Sequence, residues 1–354
     1  MHPFSIALLL SSFALSAVAQ EPTPAPAPAK EPARILGTIA GAKPAGQEPK
    51  PVYDEKADAR KDVAAAIARA KKENKRVLIQ WGANWCGWCK WLAGTMKTDT
   101  KVSLKIRYEY ELVHVDVGQF NKHMDLAKEL GAEFKAIPFL TVLDASGKAL
   151  VQQNTEPFET KVDGKAGHDA GKIVEFLTTH EAKPLVAKDV LAAGLEAAVK
   201  GQKRVFLHFG APWCGWCHRL EDWMAKPEIA ALLAKDFIDV KIDNDRMTGA
   251  EAVYAAQLAA AGQQAGGIPW FVFLDQDQKQ LAHSTGPKGN TGFPYQPEEV
   301  QHFVTMLQAA KVNLSDADIQ TLAKSLDDNR EREKAEAERK KAAREAAKGG
   351  DTQR

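Results

Sequence analysis

Apolar residues recur along this chain with helical and strand-like spacing in turn, beginning near Lys56. Val63, Ile67 and Ala70 follow helical spacing, and the short apolar run Val77–Ile79 after them predicts a buried strand. Further strands and helices follow in turn, with apolar runs or helical periodicity at 112–115, 124–130, 137–143 and 170–179. Alternating helices and strands of this kind predict an α/β sheet.

The same series of elements repeats in the second half of the chain. Ten of the fifteen residues from Lys75 to Cys89 are identical to those found 128 positions later, from Lys203 to Cys217. Both copies contain Trp-Cys-Gly-Trp-Cys, and both continue to an Ile-Pro pair, at Ile137-Pro138 and Ile268-Pro269. Because the whole series is repeated, we predict two tandem domains of one fold rather than a solenoid of short repeats.

The N-terminal residues differ in composition from the two repeats. Phe4 to Val18 is mostly apolar, and Ala17-Val18-Ala19 offers small residues for cleavage, so residues 1–19 predict a secretory signal peptide. The alternative is an uncleaved anchor, although the stretch is shorter than the ~20 residues that span a bilayer. Residues 20–55 are rich in Pro and Ala and predict an extended linker.

The remaining boundaries follow from the repeat and from a charged C-terminal segment. We expect the first domain at 56–183, the second at 184–312 and a tail at 313–354. The tail carries opposite charges four residues apart, as in Glu336 and Lys340, without a sustained apolar stripe. It is therefore expected to be a solvated helix or disordered.

Charge and cysteine content narrow the classes of function. The 47 basic and 46 acidic side chains leave a net charge of +1, which gives no electrostatic reason to expect nucleic acid or an anionic membrane as a partner. No membrane segment is expected beyond the signal peptide. The chain has four cysteines, all in two Cys-x-x-Cys pairs. In an oxidising compartment such cysteines tend to be paired or redox-active.

Each cysteine pair follows a predicted strand and is expected to open a helix. A helix N-terminus carries unpaired amide donors and a partial positive charge, which stabilise a thiolate. Cys86 and Cys214 are therefore the expected nucleophiles. Cys89 and Cys217, one turn further along, are expected to resolve the mixed disulfide. The tryptophans within the motifs offer an apolar platform for substrate, at Trp85, Trp88, Trp213 and Trp216.

Two other roles for the cysteine pairs remain open. A structural staple is disfavoured because a four-residue ring constrains the unfolded chain by only about 2 kcal/mol. A four-thiolate zinc site would need the two domains to meet through their cysteines, and we expect no metal.

With these motifs, the chain resembles the thioredoxin superfamily over about residues 56–312. The resemblance implies a central mixed sheet flanked by helices in each domain. It also implies dithiol–disulfide exchange with protein substrates, no cofactor beyond the cysteines, and a redox partner that recharges them. By the same resemblance Pro138 and Pro269 should be cis, with the backbone of Ile137 and Ile268 pairing with an extended substrate peptide.

The chain departs from the family pattern at two places. Gly-Trp stands between the cysteines where thioredoxins proper have Gly-Pro, which leaves the redox potential open and resembles secreted and periplasmic members. The family's buried carboxylate is replaced by Gln80 and His208. His208 is a candidate for proton transfer, against the alternative of a hydrogen-bonded core histidine. Because the two sites differ here, a relay of electrons between them is a further hypothesis.

We therefore expect an exported, reductase-like thiol–disulfide oxidoreductase, located in the periplasm or outside the cell. Two alternatives remain. One is a disulfide oxidase or isomerase. The other is a thioredoxin-fold binding module whose cysteines are regulatory, which would keep its function after both nucleophiles were changed to Ser.

Overall fold

The computed structural model describes residues 51–162, 164–264 and 266–349. The predicted signal peptide and residues 20–50 of the predicted linker lie outside the described residues. Among the helices described, none combines the length and apolar composition that crossing a membrane requires.

Helices and strands alternate in both halves of the described chain. The first domain contains α1 (Ala59–Glu73), β1 (Arg76–Gly82), α2 (Gly87–Thr98), α3 (Thr100–Glu109), β2 (Tyr110–Asp116), α4 (Met124–Glu129), β3 (Phe139–Leu143), β4 (Ala149–Asn154), β5 (Glu159–Val162), β6 (Lys165–His168) and α5 (Ala170–His180). The second contains α6 (Ala187–Gly201), β7 (Arg204–Gly210), α7 (Gly215–Met224), α8 (Pro227–Leu233), β8 (Phe237–Asp243), α9 (Ala250–Ala260), β9 (Trp270–Leu274), β10 (Gln280–His283), β11 (Thr285–Gly286), β12 (Gly289–Asn290), α10 (Pro297–Ala310) and α11 (Asp316–Gly349).

Each domain is built on a four-stranded mixed sheet, as the sequence predicts. The strand order is β2-β1-β3-β4 in the first domain and β8-β7-β9-β10 in the second. The first strand of each domain is parallel to the second and antiparallel to the third. Gln80 on β1 lies opposite His114 on β2, and His208 on β7 lies opposite Lys241 on β8. The two sheets therefore place corresponding residues at corresponding positions.

Both faces of the central strand are covered, which explains why it reads as a continuous apolar run rather than an alternating one. On β1, Val77, Ile79 and Trp81 pack against the buried face of α1 and the residues of α4. Leu78 points to the other face, where it packs with residues of α2, α3 and α5. The cysteine-bearing helix α2 is thus held on one face of the sheet by its own apolar side chains.

The first helix of each domain ends in the same way. Asn74 after α1 and Gln202 after α6 occupy equivalent positions, and both adopt the left-handed conformation, with φ of 51° and 52°. A left-handed residue at this position reverses the chain and satisfies a terminal carbonyl of the helix. In each domain this turn leads into the first strand, β1 or β7, which begins two residues later.

A buried arginine ties the second domain to the first. Arg246, just after β8, lies 2.9 Å from the Glu109 carboxylate at the end of α3. Its guanidinium also donates to the backbone carbonyls of Glu73 (2.6 Å) and Asn74 (2.8 Å). Because β1 begins at Arg76, two residues after Asn74, these contacts place the carboxyl end of β8 against the end of domain 1 where β1 begins.

The core of the second domain continues beyond the predicted boundary at residue 312. Helix α11 occupies most of the predicted tail, and its first half packs on the domain through Ile319, Leu322 and Leu326, which are buried. The indole of Trp223 also donates to Ser325 Oγ at 3.2 Å. These few apolar residues span only the start of the helix. The charged residues after Arg332 are mostly exposed, in line with a solvated helix.

Candidate active sites

Each cysteine pair joins a buried strand to the start of a helix. Cys86 is the N-cap of α2 and Cys214 the N-cap of α7, and each Sγ accepts a hydrogen bond of 3.1 Å from the backbone N–H of the second cysteine. Both pairs form disulfides. Cys86 and Cys214 are 6% and 4% exposed, whereas Cys89 and Cys217 are 0% and 2% exposed. All four cysteines are buried, and the first of each pair is slightly more exposed than the second.

The two Ile-Pro pairs lie directly beside these sulfurs. Both Ile137-Pro138 and Ile268-Pro269 are cis, which confirms the prediction. Cys86 Sγ lies 3.6 Å from the carbonyl oxygen of Ile137, and Cys214 Sγ lies 3.6 Å from that of Ile268. The pairing of these backbones with a substrate peptide stays a prediction.

The tryptophans of the motifs form the rim of each site. Trp85, Trp213 and Trp216 are 53%, 57% and 48% exposed, and Trp88 is half-buried. Trp85 donates its indole N–H to the Gly118 carbonyl, whereas Trp213 donates to the Asp245 carboxylate. These exposed aromatic faces are suited to an apolar contact with substrate.

The rim of the second site also contacts the first domain. The Asp245 carboxylate that accepts from Trp213 accepts a second hydrogen bond, of 2.9 Å, from the Tyr108 hydroxyl at the end of α3. Domain 1 thus helps to fix the orientation of Trp213, and no equivalent link from domain 2 reaches Trp85 in the described residues.

A cavity of about 320 Å³ opens beside the second cysteine pair. It is lined by aromatic, proline-loop and amide side chains that include Trp216, Ile268, Pro269, Asn290, Phe293 and Tyr295. The Asn290 amide donates to the Pro269 carbonyl at 2.8 Å and so fixes the loop that forms one wall. In the first domain Thr155 makes the corresponding bond to the Pro138 carbonyl, also at 2.8 Å.

Beneath the first disulfide lie a buried amide, a buried phenol and a buried imidazole. The Gln80 amide donates to the Cys89 carbonyl at 3.0 Å. Tyr53 is fully buried and packs with both cysteines. His114 lies edge-on to the Tyr53 ring, with centroids 5.6 Å apart, and burial lowers the pKa of its imidazole to about 4. His114 is therefore neutral at pH 7, and it has no hydrogen-bond partner for Nε2 among the described residues.

At the corresponding positions of the second domain lie His208 and Lys241, and each is paired with an acidic side chain. His208 is bound to Asp239, with Nε2 2.9 Å from Oδ1. Glu221 on α7 pairs with Lys241 on β8 at 2.8 Å, and both side chains are largely buried. A Cβ placed at Gly210 would lie 3.4 Å from Cys217 Sγ and 3.7 Å from Glu221 Oε1, so the carboxylate and the resolving sulfur border the same small space.

Tyr53 and Glu221 are site residues that the sequence interpretation missed. Glu221 follows Cys217 by four residues in a helix, so helical periodicity alone places it on the face of the resolving cysteine. His208, the candidate for proton transfer, is buried and hydrogen-bonded to Asp239, and its role in proton transfer stays a prediction. Tyr53 falls in the segment predicted as linker, where no local pattern indicates that it packs against a cysteine pair.

No cluster of three or more His, Cys, Asp or Glu side chains suited to a metal ion is found in the part of the chain that the structure describes. The two cysteine pairs belong to separate sites, each at the carboxyl end of its own central strand.

Two protein-family models match the chain, one in each half. A model described as thioredoxin-like matches residues 58–145. A model named Thioredox_DsbH, with the description "Protein of unknown function, DUF255", matches residues 170–329. The second match includes both Cys214 and the start of α11, which agrees with the packing of that helix on the second domain.

This chain is also similar to curated proteins and to a solved structure. Protein disulfide-isomerase erp38 of Neurospora crassa is 28% identical over 201 residues, covering 54% of this chain and 49% of that protein. Protein disulfide-isomerase tigA of Aspergillus niger is 23% identical over 230 residues, covering 63% and 58%. A disulphide isomerase structure from Xylella fastidiosa Temecula1 is 29% identical, covers 36% of this chain and 95% of its own, and has a TM-score of 0.30. The chain spans about half the length of these two curated relatives.

Proposed function

Because this chain belongs to the thioredoxin superfamily, with a Cys-Gly-Trp-Cys pair in each of two thioredoxin-like domains, we propose that it is an exported thiol–disulfide oxidoreductase acting on proteins. One observation carries the proposal. In both domains the first cysteine caps a helix N-terminus, and its Sγ lies 3.6 Å from the carbonyl oxygen of the isoleucine that precedes the cis-proline. A thiolate is stabilised at that position, beside the backbone carbonyl to which we expect a substrate peptide to pair.

The exchange follows from this geometry. In the reductive direction, the Cys86 or Cys214 thiolate attacks a substrate disulfide, one substrate sulfur leaves as a thiolate, and a mixed disulfide forms. Cys89 or Cys217 then attacks the first cysteine and releases the second substrate sulfur. The substrate gains two electrons and the cysteine pair becomes a disulfide. An external dithiol must reduce that disulfide before the next cycle.

We infer that the two sites serve separate substrates. Site 1 follows the carboxyl end of β1, whereas Arg246 and Asp245 hold the region of site 2 against the end where β1 begins. The seven residues of β1 separate these ends by roughly 20 Å. Direct exchange needs the sulfurs in contact, so a relay between the two pairs of one chain would require the domains to separate.

A second candidate, disulfide isomerase, is favoured by the names of the two fungal relatives. Redox titration of each pair, with the other pair changed to Ser, distinguishes the candidates. We expect potentials near or below about −220 mV, as for a reductase; a value near about −180 mV would favour isomerase and near about −120 mV a disulfide donor. If neither pair titrated reversibly, the enzyme proposal would fail.

Export is part of the same proposal and is supported by residues 1–19 and by the presence of all four cysteines in disulfide-forming pairs. The intact mass of the exported chain, measured by mass spectrometry, should correspond to a protein without residues 1–19. Recovery of the uncleaved chain from the cytosol alone would contradict it.

A further inference from the structure

A short segment before the first domain reaches under its active site. Residues 51–56, here called the strap, precede α1 and are fastened to Asn84, two positions before Cys86. The Tyr53 N–H donates to Asn84 Oδ1 (3.1 Å), and Asn84 Nδ2 donates to the Tyr53 carbonyl (2.8 Å) and to Glu55 (3.0 Å). Lys122 adds a bond to the Glu55 carbonyl. The strap is therefore anchored to the loop that carries the nucleophile.

The strap inserts the Tyr53 ring beside the resolving cysteine. Tyr53 is 0% exposed and packs with Cys86 and Cys89. A Cβ at Gly82 would overlap the Tyr53 hydroxyl and come within 3.0 Å of Cys89 Sγ. The hydroxyl and this sulfur therefore border one space, which a side chain at Gly82 would fill.

In the oxidised protein the Tyr53 hydroxyl lies near the Gln80 amide but makes no hydrogen bond of ordinary geometry with any of the described residues, and Gln80 Oε1 is also without a partner there. A buried hydroxyl without a partner destabilises a fold and calls for an explanation. A disulfide sulfur is a weak acceptor, but a thiolate is a charged one. Opening of the disulfide at Cys89 creates such an acceptor next to the hydroxyl.

We propose that the Tyr53 hydroxyl donates a hydrogen bond to Cys89 Sγ when the Cys86–Cys89 disulfide opens, and so stabilises the Cys89 thiolate. The inference rests on the proposed function. When an external thiolate attacks Cys86 Sγ, a new sulfur–sulfur bond forms to Cys86, the Cys86–Cys89 bond breaks, and its electron pair leaves on Cys89. The Tyr53 proton stays on oxygen and is shared with that sulfur.

The groups around Tyr53 keep it a donor. Burial raises the pKa of the phenol well above its ordinary value, the Gln80 amide opposes this, and the nearby Asp116 carboxylate adds to the rise. Asp116 is itself paired with Lys122 at 2.9 Å. His114, whose ring lies edge-on to that of Tyr53, is neutral at pH 7 because burial lowers its pKa to about 4. The phenol therefore donates and does not ionise.

The test measures the ionisation of Cys89 alone. In the full chain, Cys86, Cys214 and Cys217 are changed to Ser, and the thiolate absorbance of Cys89 is followed against pH with Tyr53 and with Tyr53→Phe. A hydrogen bond to a charged group contributes about 1.5 kcal/mol or more, so we expect Tyr53→Phe to reduce the thiolate fraction at a given pH about tenfold. With all cysteines present, reduction of the first disulfide by a small thiol should slow by a similar factor.

Tyr110→Phe is the matched control. Tyr110 is a buried tyrosine of the same domain whose hydroxyl donates to the Leu177 carbonyl. Its variant should lower the melting temperature and leave the Cys89 titration unchanged, whereas Tyr53→Phe should leave the oxidised protein equally or more stable. An unchanged Cys89 titration in folded Tyr53→Phe protein, or an equal shift in both variants, would overturn the proposal. If no thiol reduces the wild-type pair, the proposed function fails instead, whatever the Cys89 titration shows.

Discussion

The two domains place their cysteines in the same geometry but fill the space beneath them differently. In domain 1 the space holds the Tyr53 hydroxyl and the Gln80 amide, and the nearby His114 is neutral. In domain 2 it is bordered by the Glu221 carboxylate, which is paired with Lys241. The backbone distances that position the reactive sulfur, 3.1 and 3.6 Å, are the same in both.

This difference separates two requirements of disulfide exchange. Presenting the first sulfur depends on strand, helix start and cis-proline, all of which are backbone features shared by the repeats. Setting the ionisation of the second sulfur depends on side chains, and here they come from different elements, the strap in one domain and α7 in the other. A hydroxyl donor stabilises a thiolate, whereas a nearby carboxylate disfavours one. The two resolving cysteines should therefore ionise differently.

The domains also differ because a C-terminal helix, α11, covers part of the core of domain 2. Removal of this helix should have the largest effect on stability. A chain ending at Val312 lacks the apolar residues Ile319, Leu322 and Leu326 of α11. Burial of each contributes about 1.5–3 kcal/mol, so we expect domain 2 to lose about 5 kcal/mol or more while domain 1 stays folded. Hydrogen exchange of β7 and β1, measured separately by mass spectrometry, checks this.

A chain ending at Lys334 is the control for this truncation. It keeps the buried half of α11 and the ion pair between Arg219 and Glu333, so domain 2 should change by less than about 0.5 kcal/mol. Equal protection of β7 in both shortened chains would show that α11 is not part of the domain.

Local sequence patterns predict those parts of the fold and site that depend on neighbours in the chain. The apolar runs that form β1 and β7 and the start of a helix at each cysteine pair are of this kind. The cis-prolines were expected from the resemblance to the thioredoxin superfamily. Tyr53 and Arg246 could not be predicted in this way. Tyr53 is held by Asn84, 31 residues away, and Arg246 binds Glu109, 137 residues away. Only the folded chain brings these partners together.

The second prediction tests the charged space of domain 2. Glu221→Gln leaves Lys241 largely buried without its partner, which should destabilise domain 2 by about 3 kcal/mol. Removing a negative charge close to Cys217 should also increase its thiolate fraction at a given pH, the opposite of the effect of Tyr53→Phe on Cys89. Thiolate absorbance, with the other three cysteines changed to Ser, measures the second effect.

Asp222→Asn is the control for Glu221→Gln because Asp222 is the exposed neighbour of Glu221 on the same helix. It removes the same charge from the domain and should change neither stability nor Cys217. A Glu221→Gln protein in which Cys217 titrates as before would remove the contrast between the two sites.

The smallest expected effect is a difference between the domains in how stability depends on pH. Domain 1 has the buried His114 at the position where domain 2 has Lys241. Burial lowers the pKa of His114 to about 4, whereas in the unfolded chain it is about 6.5. Below pH 6.5 the unfolded chain therefore binds a proton that the folded domain does not, and stability falls with pH until about pH 4. Between pH 7.5 and 5 this amounts to about 2 kcal/mol.

Hydrogen exchange of β1 and β2, corrected for intrinsic rates, should show this loss at pH 5, and His114→Phe should remove it while keeping an aromatic ring against Tyr53. His168, whose pKa burial also lowers to about 4, should contribute a similar loss that persists in that variant and is removed in the double variant with His168→Phe, leaving only the contribution of His180, whose pKa burial also lowers. Strands β7 and β8 in the same sample provide the comparison. If the pH dependence of β1 survived both substitutions, the acid sensitivity of domain 1 would have to arise from groups other than these two neutral imidazoles.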